Sequence, residues 1–240
     1  MRPITSSWKN RSITEIVNTR NQQTAGILED ARCLDSSMIV QGESPQREAL
    51  SRKRSLMDPK KTIKLGTWNV RTMYQISKTA QVIKEMDRYG VAIMGISECR
   101  WTGSGKTVSN NHTIIYLGRS DEQHREGVAL IMNKDCAKSL MEWEPINERL
   151  IRARFNSIYA KTTIIQCYAP TNDADDEAKD SYYEALQSQI NKTPQHDVLL
   201  VIGDQNVKIG NDDNQHPRSM GKEGVGQMNE NGERLADIWS

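Results

Sequence analysis

The amino-acid sequence predicts an α/β fold class, and three parts of the chain support that prediction within one domain at 62–240. Residues 63–98 have the pattern of a strand, a helix and a second strand. Residues 113–168 hold four short strand-like segments separated by polar loops. A helix predicted to about Asn191 then precedes the apolar run at 198–202, which is typical of a buried strand.

The first strand, helix and strand follow directly from residue periodicity. Residues 63–70 alternate apolar and polar side chains, as a half-buried strand does. Ser77 is predicted to cap a helix that runs to about Tyr89, because apolar residues recur there at helical spacing. Gly90 ends this helix, and the apolar run at 91–98 predicts a buried strand that finishes in a carboxylate.

Five further strands and two further helices are predicted in the rest of the domain. The strands are 113–117, 127–132, 150–155, 162–168 and 198–202. Capping side chains at 171–173 begin the longer helix, whose apolar positions again repeat at helical spacing. After the strand at 198–202, a loop rich in Gly, Asn and Asp runs to about residue 232, and a short helix begins at Glu233.

Residues 1–61 are predicted to form a mostly disordered, basic extension. Their apolar residues are scattered, and such a composition buries too little surface to offset the entropy of ordering. Residues 1–62 hold 11 basic and 7 acidic residues, whereas the rest of the chain holds 21 and 24. Within the extension, Arg52, Lys53 and Arg54 form a cluster typical of a nuclear-import signal, a nucleic-acid contact or a solvated linker.

Composition and cysteine usage argue against several classes of protein. Lys plus Arg number 32 against 31 Asp plus Glu, a balance that neither requires nor excludes a polyanionic partner. The four cysteines match neither a zinc pattern nor a disulfide framework, so a reduced intracellular setting is expected. The sequence has no signal-peptide core, no apolar run of about eighteen residues and no evident motif for a small organic cofactor.

Polar residues follow three of the predicted strands. Asn69 ends the first strand, Glu98 follows the second, and Asp204 and Asn206 follow the last. In an extended loop, the side chains of Asp204 and Asn206 would point to the same side, although Asp and Asn are also common turn formers. Carboxylate and carboxamide oxygens suit Mg²⁺ where strand ends converge, and the lack of Cys and His among them argues against zinc.

Tyr168, in the sequence Cys-Tyr-Ala-Pro, is a fifth candidate for this site. Its phenol group can donate a hydrogen bond to a phosphate oxygen. The alternative is a tyrosine of the core or its rim, whose hydroxyl is satisfied within the protein.

Four motifs in their order along the chain resemble the endonuclease/exonuclease/phosphatase superfamily. They are Thr-Trp-Asn-Val at 67–70, Ile-Ser-Glu at 96–98, Gln-Cys-Tyr-Ala-Pro at 166–170 and Gly-Asp-Gln-Asn at 203–206. The longer segments GTWNVRTMYQ, GISECRWTGSG, EGVAL, CYAPTND and MNENGERLAD are similar to the endonuclease domain of non-LTR (LINE-type) retrotransposons. That group carries an associated reverse transcriptase and includes craniofacial-development-type proteins. The resemblance covers about residues 64–240.

The resemblance implies a two-layer β-sandwich flanked by helices, as in AP endonucleases and DNase I, and metal-dependent attack of water on a DNA phosphodiester. Glu98 would hold Mg²⁺ or Mn²⁺, and Asn69 would lie beside it as a metal or phosphate partner. Asp204 would position the attacking water, while Asn206 and Tyr168 would stabilise charge on the phosphate. A dianionic transition state needs a cation and donors of this kind.

The chain departs from the superfamily pattern at several points. Gln205 replaces a residue that is usually apolar, Arg71 stands where some members have a carboxylate, and Asn172 is displaced by one residue from a family asparagine. The chain also ends before the second-half Asp and the terminal Asp-His pair of the family. The four histidines lie in no such motif and are expected at the surface: His112, His124, His196 and His216. We therefore expect a C-terminally truncated domain without its general base, a loss worth ~10²–10⁴ in rate.

The sequence is compatible with three functions. The first is a retrotransposon-type endonuclease that nicks DNA. The second is a non-catalytic nucleic-acid- or protein-binding remnant that uses the basic cluster at 52–54. The third is a phosphatase of the same superfamily that acts on a small phosphate ester. A nuclear location is expected, and the sequence indicates no oligomeric state.

Overall fold

The computed structural model of the chain describes residues 11–16, 62–210 and 226–239. The basic cluster at 52–54 and most of the predicted extension lie outside the described residues, as does His216. Within the described ranges, no helix combines the length and the apolar character needed to cross a membrane.

Ten strands and four helices are found in the described part of the chain. The strands are β1 (Arg11–Ile16), β2 (Ile63–Asn69), β3 (Val91–Ser97), β4 (Ser104–Ser109), β5 (His112–Leu117), β6 (Val128–Met132), β7 (Leu140–Asn147), β8 (Leu150–Phe155), β9 (Thr162–Tyr168) and β10 (Val198–Asp204). The helices are α1 (Ile76–Tyr89), α2 (Lys134–Ser139), α3 (Asp176–Lys192) and α4 (Glu230–Ile238).

The strands form two mixed sheets. The larger sheet has the order β1-β2-β3-β6-β5-β4, with β2 and β3 parallel and every other pair antiparallel. The smaller sheet has the order β10-β9-β8-β7, with β10 and β9 parallel. A parallel pair needs a crossover connection, and α1 and α3 provide it for the two pairs.

Apolar side chains from both sheets meet in a shared core. Leu65, Ile93 and Leu130 come from the larger sheet, and Ile151 and Ile164 come from the smaller one. All five are buried, because each strand turns one face toward the opposite sheet. The two sheets therefore pack as a sandwich.

Helices cover the outer faces of both sheets. On the larger sheet, Ile83 and Met86 of α1 belong to a second buried cluster. On the smaller sheet, Tyr182 and Leu186 of α3 belong to a third buried cluster, against which Leu235 of α4 packs. This two-layer β-sandwich flanked by helices confirms the predicted fold class.

The two long helices begin at positions other than their predicted caps. Helix α1 follows Gln75, which makes no side-chain capping bond, and Ser77 lies inside the first turn. Helix α3 follows Asp175, whose carboxylate accepts a hydrogen bond from the backbone N–H of Ala178 at 2.7 Å. The predicted caps at 171–173 precede this turn. An acidic side chain at the helix start also complements the helix dipole, which favours Asp175.

Three strands are not indicated by the sequence pattern. Strand β1 pairs antiparallel with β2, which differs from the predicted disorder at these six residues. Strand β4 is mostly exposed and polar at one edge of its sheet, and β7 contains Pro145 at an edge of the other. Edge strands tolerate both features because one side of their backbone needs no partner strand. Strand β10, predicted as buried, is half-buried and leaves Val198 38% exposed.

Candidate active site

The candidate site lies where the two parallel strand pairs end. Asn69 is the last residue of β2, and Glu98 comes directly after β3, its parallel neighbour. Tyr168 and Asp204 end β9 and β10 and stand opposite each other in the parallel register. Because carboxyl ends of parallel strands meet at one edge, both sheets deliver polar side chains to the same place.

Asn69 connects the carboxylates of the two sheets. Its amide Nδ2 donates to Oε1 of Glu98 at 2.8 Å and to Oδ2 of Asp204 at 2.9 Å. Its Oδ1 accepts a hydrogen bond from the backbone N–H of Arg71 at 3.1 Å, which fixes the amide orientation. Asn69 therefore holds two acidic groups together through its donor side, and its expected place beside a metal or phosphate stays a prediction.

Glu98 is held in its charged form by three donors. Besides Asn69, the hydroxyl of Tyr168 donates to Oε1 at 3.2 Å, and Nη2 of Arg100 donates to Oε2 at 3.1 Å. Burial acts to raise the pKa of Glu98, but these hydrogen bonds outweigh it and place the pKa below its ordinary value. Glu98 also adopts a left-handed backbone with φ +56°, an uncommon conformation that directs its side chain into the cluster.

Tyr168 keeps its proton over a wide pH range. Burial, followed by the neighbouring charge of Glu98, raises the pKa of Tyr168 to about 12. The guanidinium of Arg149 lies 5.2 Å from the centre of the phenol ring and donates to the Tyr168 carbonyl at 3.4 Å. Arg149 thus holds the ring in place, and the phenol remains a hydrogen-bond donor.

Asp204 and Asn206 are adjacent in space, but the loop between them is not extended. Asn206 has a left-handed backbone with φ +50°, and its N–H donates to Oδ1 of Asp204 at 3.2 Å. Its Nδ2 donates to the carbonyl of Ala169 at 2.8 Å, so the amide links the ends of β10 and β9. The expected extended geometry is wrong here because the short Asn side chain tolerates the left-handed turn.

Two asparagines near the C-terminal end of the described chain support the site, and their contacts were not predicted from the sequence. Asn229 and Asn231 donate to the carbonyl of Asn206 at 3.0 and 3.4 Å, which ties the start of α4 to the loop after β10. Asn229 also caps α4, which begins at Glu230 rather than at the predicted Glu233. The repeated asparagines in MNENG could have indicated the start of α4, since Asn favours helix caps and turns.

The donor set fits a hard cation that keeps most of its water. In the part of the chain that the structure describes, no group of three or more His, Cys, Asp or Glu side chains could hold a metal ion. Glu98 and Asp204 nevertheless lie close together, because both accept a hydrogen bond from the Asn69 amide. Mg²⁺ is commonly bound by one or two carboxylates together with several waters. Glu98 and Asp204 are therefore the described residues that could hold such a cation, and Mg²⁺ stays a prediction.

The described histidines lie apart from the two carboxylates. Among the described residues, no histidine forms a hydrogen bond with Glu98 or Asp204. His124 and His196 are exposed, as predicted. His112 is 6% exposed and pairs with Asp87 across 3.2 Å, so the surface prediction is wrong for this residue.

The chain is similar in sequence to curated craniofacial development proteins. It is 40% identical over 194 residues to craniofacial development protein 2 of Tragulus javanicus, which covers 81% of this chain and 33% of that protein. It is 41% identical over 174 residues to the Bos taurus protein of the same name, covering 72% of this chain and 29% of that protein. The chain thus spans about a third of the length of these relatives. No protein-family model matches it.

Comparison with solved structures identifies the architecture. The AP endonuclease LMAP from Leishmania major aligns over 81% of this chain and 76% of its own, with a TM-score of 0.53 and 11% sequence identity. The chain has an AP-endonuclease fold. Within this AP-endonuclease fold, Asn69, Glu98, Tyr168 and Asp204 lie at the same end of both sheets.

Proposed function

We propose that the chain is a metal-dependent phosphodiesterase domain of the endonuclease/exonuclease/phosphatase superfamily that nicks DNA in the manner of non-LTR retrotransposon endonucleases. The observation that carries this proposal is the Asn69 amide, which joins Glu98 and Asp204 from the two sheets. The four ordered motifs and the similarity to craniofacial development protein 2 add support. Mg²⁺ is the proposed cofactor and DNA the proposed partner.

Each side chain has a distinct part in this proposal. Glu98 would hold the cation, which when bound supplies positive charge to the phosphate oxygens. Asp204 orients the attacking water by accepting its hydrogen bond, and Asn69 keeps Asp204 in position. The Tyr168 hydroxyl, which donates to Glu98 in the structure, would turn to donate its single proton to a phosphate oxygen, and its raised pKa keeps that proton in place.

The amide of Asn206 is assigned to the phosphate as well. In the present arrangement it donates to the carbonyl of Ala169, so its side chain positions the strand ends before substrate arrives. The basic cluster of Arg52, Lys53 and Arg54 is proposed as a nuclear-import signal or a contact with the DNA backbone.

Nicking of supercoiled plasmid in the presence of Mg²⁺ tests the proposal. We expect the wild-type chain to nick the plasmid slowly, because no described histidine contacts Glu98 or Asp204 as a general base. Glu98→Gln should reduce this rate by a further ~10²–10³, because one electrostatic contact of this kind contributes that much. Asp204→Asn should be similarly impaired. Glu184→Gln, an exposed change on α3, is the matched control and should keep full activity.

Three results would contradict parts of the proposal. Nicking that survives EDTA or Glu98→Gln would exclude the metal role of Glu98. Salt-sensitive DNA binding without nicking by the wild-type chain would favour a non-catalytic nucleic-acid-binding protein. Faster turnover of inositol phosphates than of DNA would identify a small phosphate ester, rather than DNA, as the substrate.

A further inference from the structure

An exposed aromatic pair stands beside the candidate site. Tyr74, in the loop after β2, has 65% of its surface exposed, whereas most large apolar side chains of the described residues are buried. Its ring contacts the ring of His124 edge to face, with centroids 4.5 Å apart and an angle of 63° between planes. An aromatic side chain held in place and still open to solvent presents a ready surface for another ring.

Hydrogen bonds attach this pair to the loops that carry the site. A ring nitrogen of His124 lies 2.9 Å from the carbonyl oxygen of Arg100, whose guanidinium contacts Glu98. The backbone N–H of Met73 donates to the carbonyl of Cys99 at 2.9 Å, which joins the loop after β2 to the loop after β3. The aromatic pair is therefore fixed relative to Glu98, rather than placed at random on the surface.

Basic side chains accompany the pair. Arg71 is exposed, and Arg100 is 43% exposed while it contacts Glu98. Of the three acidic side chains in the loop between β5 and β6, Asp121 and Glu126 pair with Arg119, whereas Glu122 is exposed. Exposed aromatic rings interleaved with arginines are the pattern by which proteins bind the bases and phosphates of a single strand.

We propose that Tyr74 and His124 form a stacking surface for an unpaired base of a nucleic acid whose phosphate lies at the Glu98–Asp204 site. This inference deepens the proposed function and rests on it. It specifies a substrate with an unpaired or extruded nucleotide beside the cleaved bond, rather than a fully paired duplex or a small phosphate ester. Arg71 contacts the adjacent phosphate in this arrangement.

The test measures binding without turnover. A labelled duplex carrying one unpaired 2-aminopurine is titrated with the chain in EDTA, and both anisotropy and base fluorescence are followed. We expect Tyr74→Ala to weaken binding about tenfold and to abolish quenching of the unpaired base, within the range measured for loss of one stacked base. Tyr74→Phe keeps the ring and should bind within about twofold of wild type.

Tyr159→Ala is the matched control for loss of an exposed tyrosine. Tyr159 is 74% exposed and lies in the loop before β9, at the opposite end of that strand from Tyr168. The Tyr159→Ala variant should bind the unpaired-base duplex like wild type, and the affinity for a fully paired duplex should not depend on Tyr74.

The inference is overturned if Tyr74→Ala binds and quenches like wild type, if Tyr159→Ala is equally impaired, or if the wild-type chain fails to bind the duplex. Because EDTA removes turnover, the result is independent of the nicking assay. Binding that depends on Tyr74 without any nicking would support the stacking surface and contradict the catalytic proposal.

Discussion

Arg100 contacts one carboxylate oxygen of Glu98, the residue that we propose as the metal ligand. Its Nη2 lies 3.1 Å from Oε2 of Glu98, and the arginine side chain is 43% exposed. Such a half-exposed ion pair contributes ~0.2–1 kcal/mol, so under the proposed function hydrated Mg²⁺ would replace the guanidinium at low cost. In the arrangement that the structure describes, Arg100 stabilises the charge of Glu98.

Arg100→Gln is expected to tighten binding of Mn²⁺ by about two- to fivefold, because the cation no longer competes with the guanidinium. Titration of Mn²⁺, with free metal measured by electron paramagnetic resonance, checks this. Arg88→Gln removes an exposed arginine near the end of α1 and should leave the affinity unchanged. Equal or weaker metal binding by Arg100→Gln would show that Arg100 does not compete for Glu98.

Strand β10 is attached to the smaller sheet through Asp197, the residue before it. Both oxygens of Asp197 pair with Arg154 of β8, at 2.6 and 3.0 Å, and Thr163 of β9 donates to the same carboxylate at 2.9 Å. The hydrogen bonds from Arg154, opposed in part by burial, place the pKa of Asp197 below its ordinary value. A bidentate pair of this kind fixes both distance and orientation, so β10 delivers Asp204 in register.

Asp197→Asn is expected to lower the free energy of unfolding by ~1–3 kcal/mol at pH 7, since charge-assisted hydrogen bonds are lost. Because the folded pKa is depressed, this stabilisation is present above the ordinary carboxyl pKa and is lost as the pH falls through the folded value. Urea unfolding at pH 7 and pH 3 should therefore show a difference from wild type that shrinks in acid.

Asp135→Asn is the control for loss of a surface carboxylate. Asp135 pairs with Lys138 at 3.1 Å but is 89% exposed, so the change should cost about 0.5 kcal/mol or less. A pH-independent effect of Asp197→Asn would contradict the assigned linkage.

The two sheets are joined near the site by a polar contact inside the sandwich. Gln166 of β9 is fully buried, and its Nε2 donates to the carbonyl of Ile96 at 3.2 Å and to Oγ of Ser97 at 3.1 Å. The side chain fits because Gly95 leaves room for it: a Cβ at that position would overlap the Gln166 amide. Close packing here sets the separation of Glu98 and Asp204, which belong to different sheets.

Gly95→Ala is expected to lower the free energy of unfolding by ~1–3 kcal/mol, because overpacking forces Gln166 from its hydrogen bonds. Gly66→Ala is the matched control, since a Cβ there would meet the flexible Met94 side chain, which can move. Chemical denaturation of both variants measures the difference. A larger loss for Gly66→Ala would contradict this account of the contact between the sheets.

Much of the fold follows from periodicity within single segments. The predicted strands at 150–155 and 162–168 match β8 and β9 residue for residue, and Gly90 ends α1 with φ +65°, as its lack of a side chain allows. Strand β4 has no apolar alternation, and its pairing with β5 depends on the turn at Asn110 and Asn111, both of which have positive φ. Edge strands of this kind are stabilised by pairing with a neighbouring strand, and the sequence pattern of the edge strand itself does not show that pairing.

Local sequence patterns are enough to predict the fold class and the polar residues at the strand ends, because both are encoded by alternation, apolar runs and short motifs. The interactions among those residues arise from the packing of the folded chain. The Asn69 amide between Glu98 and Asp204, the guanidinium of Arg149 on Tyr168 and the Tyr74–His124 pair all join segments distant in sequence. Such contacts depend on how two sheets pack, and no single segment carries that information.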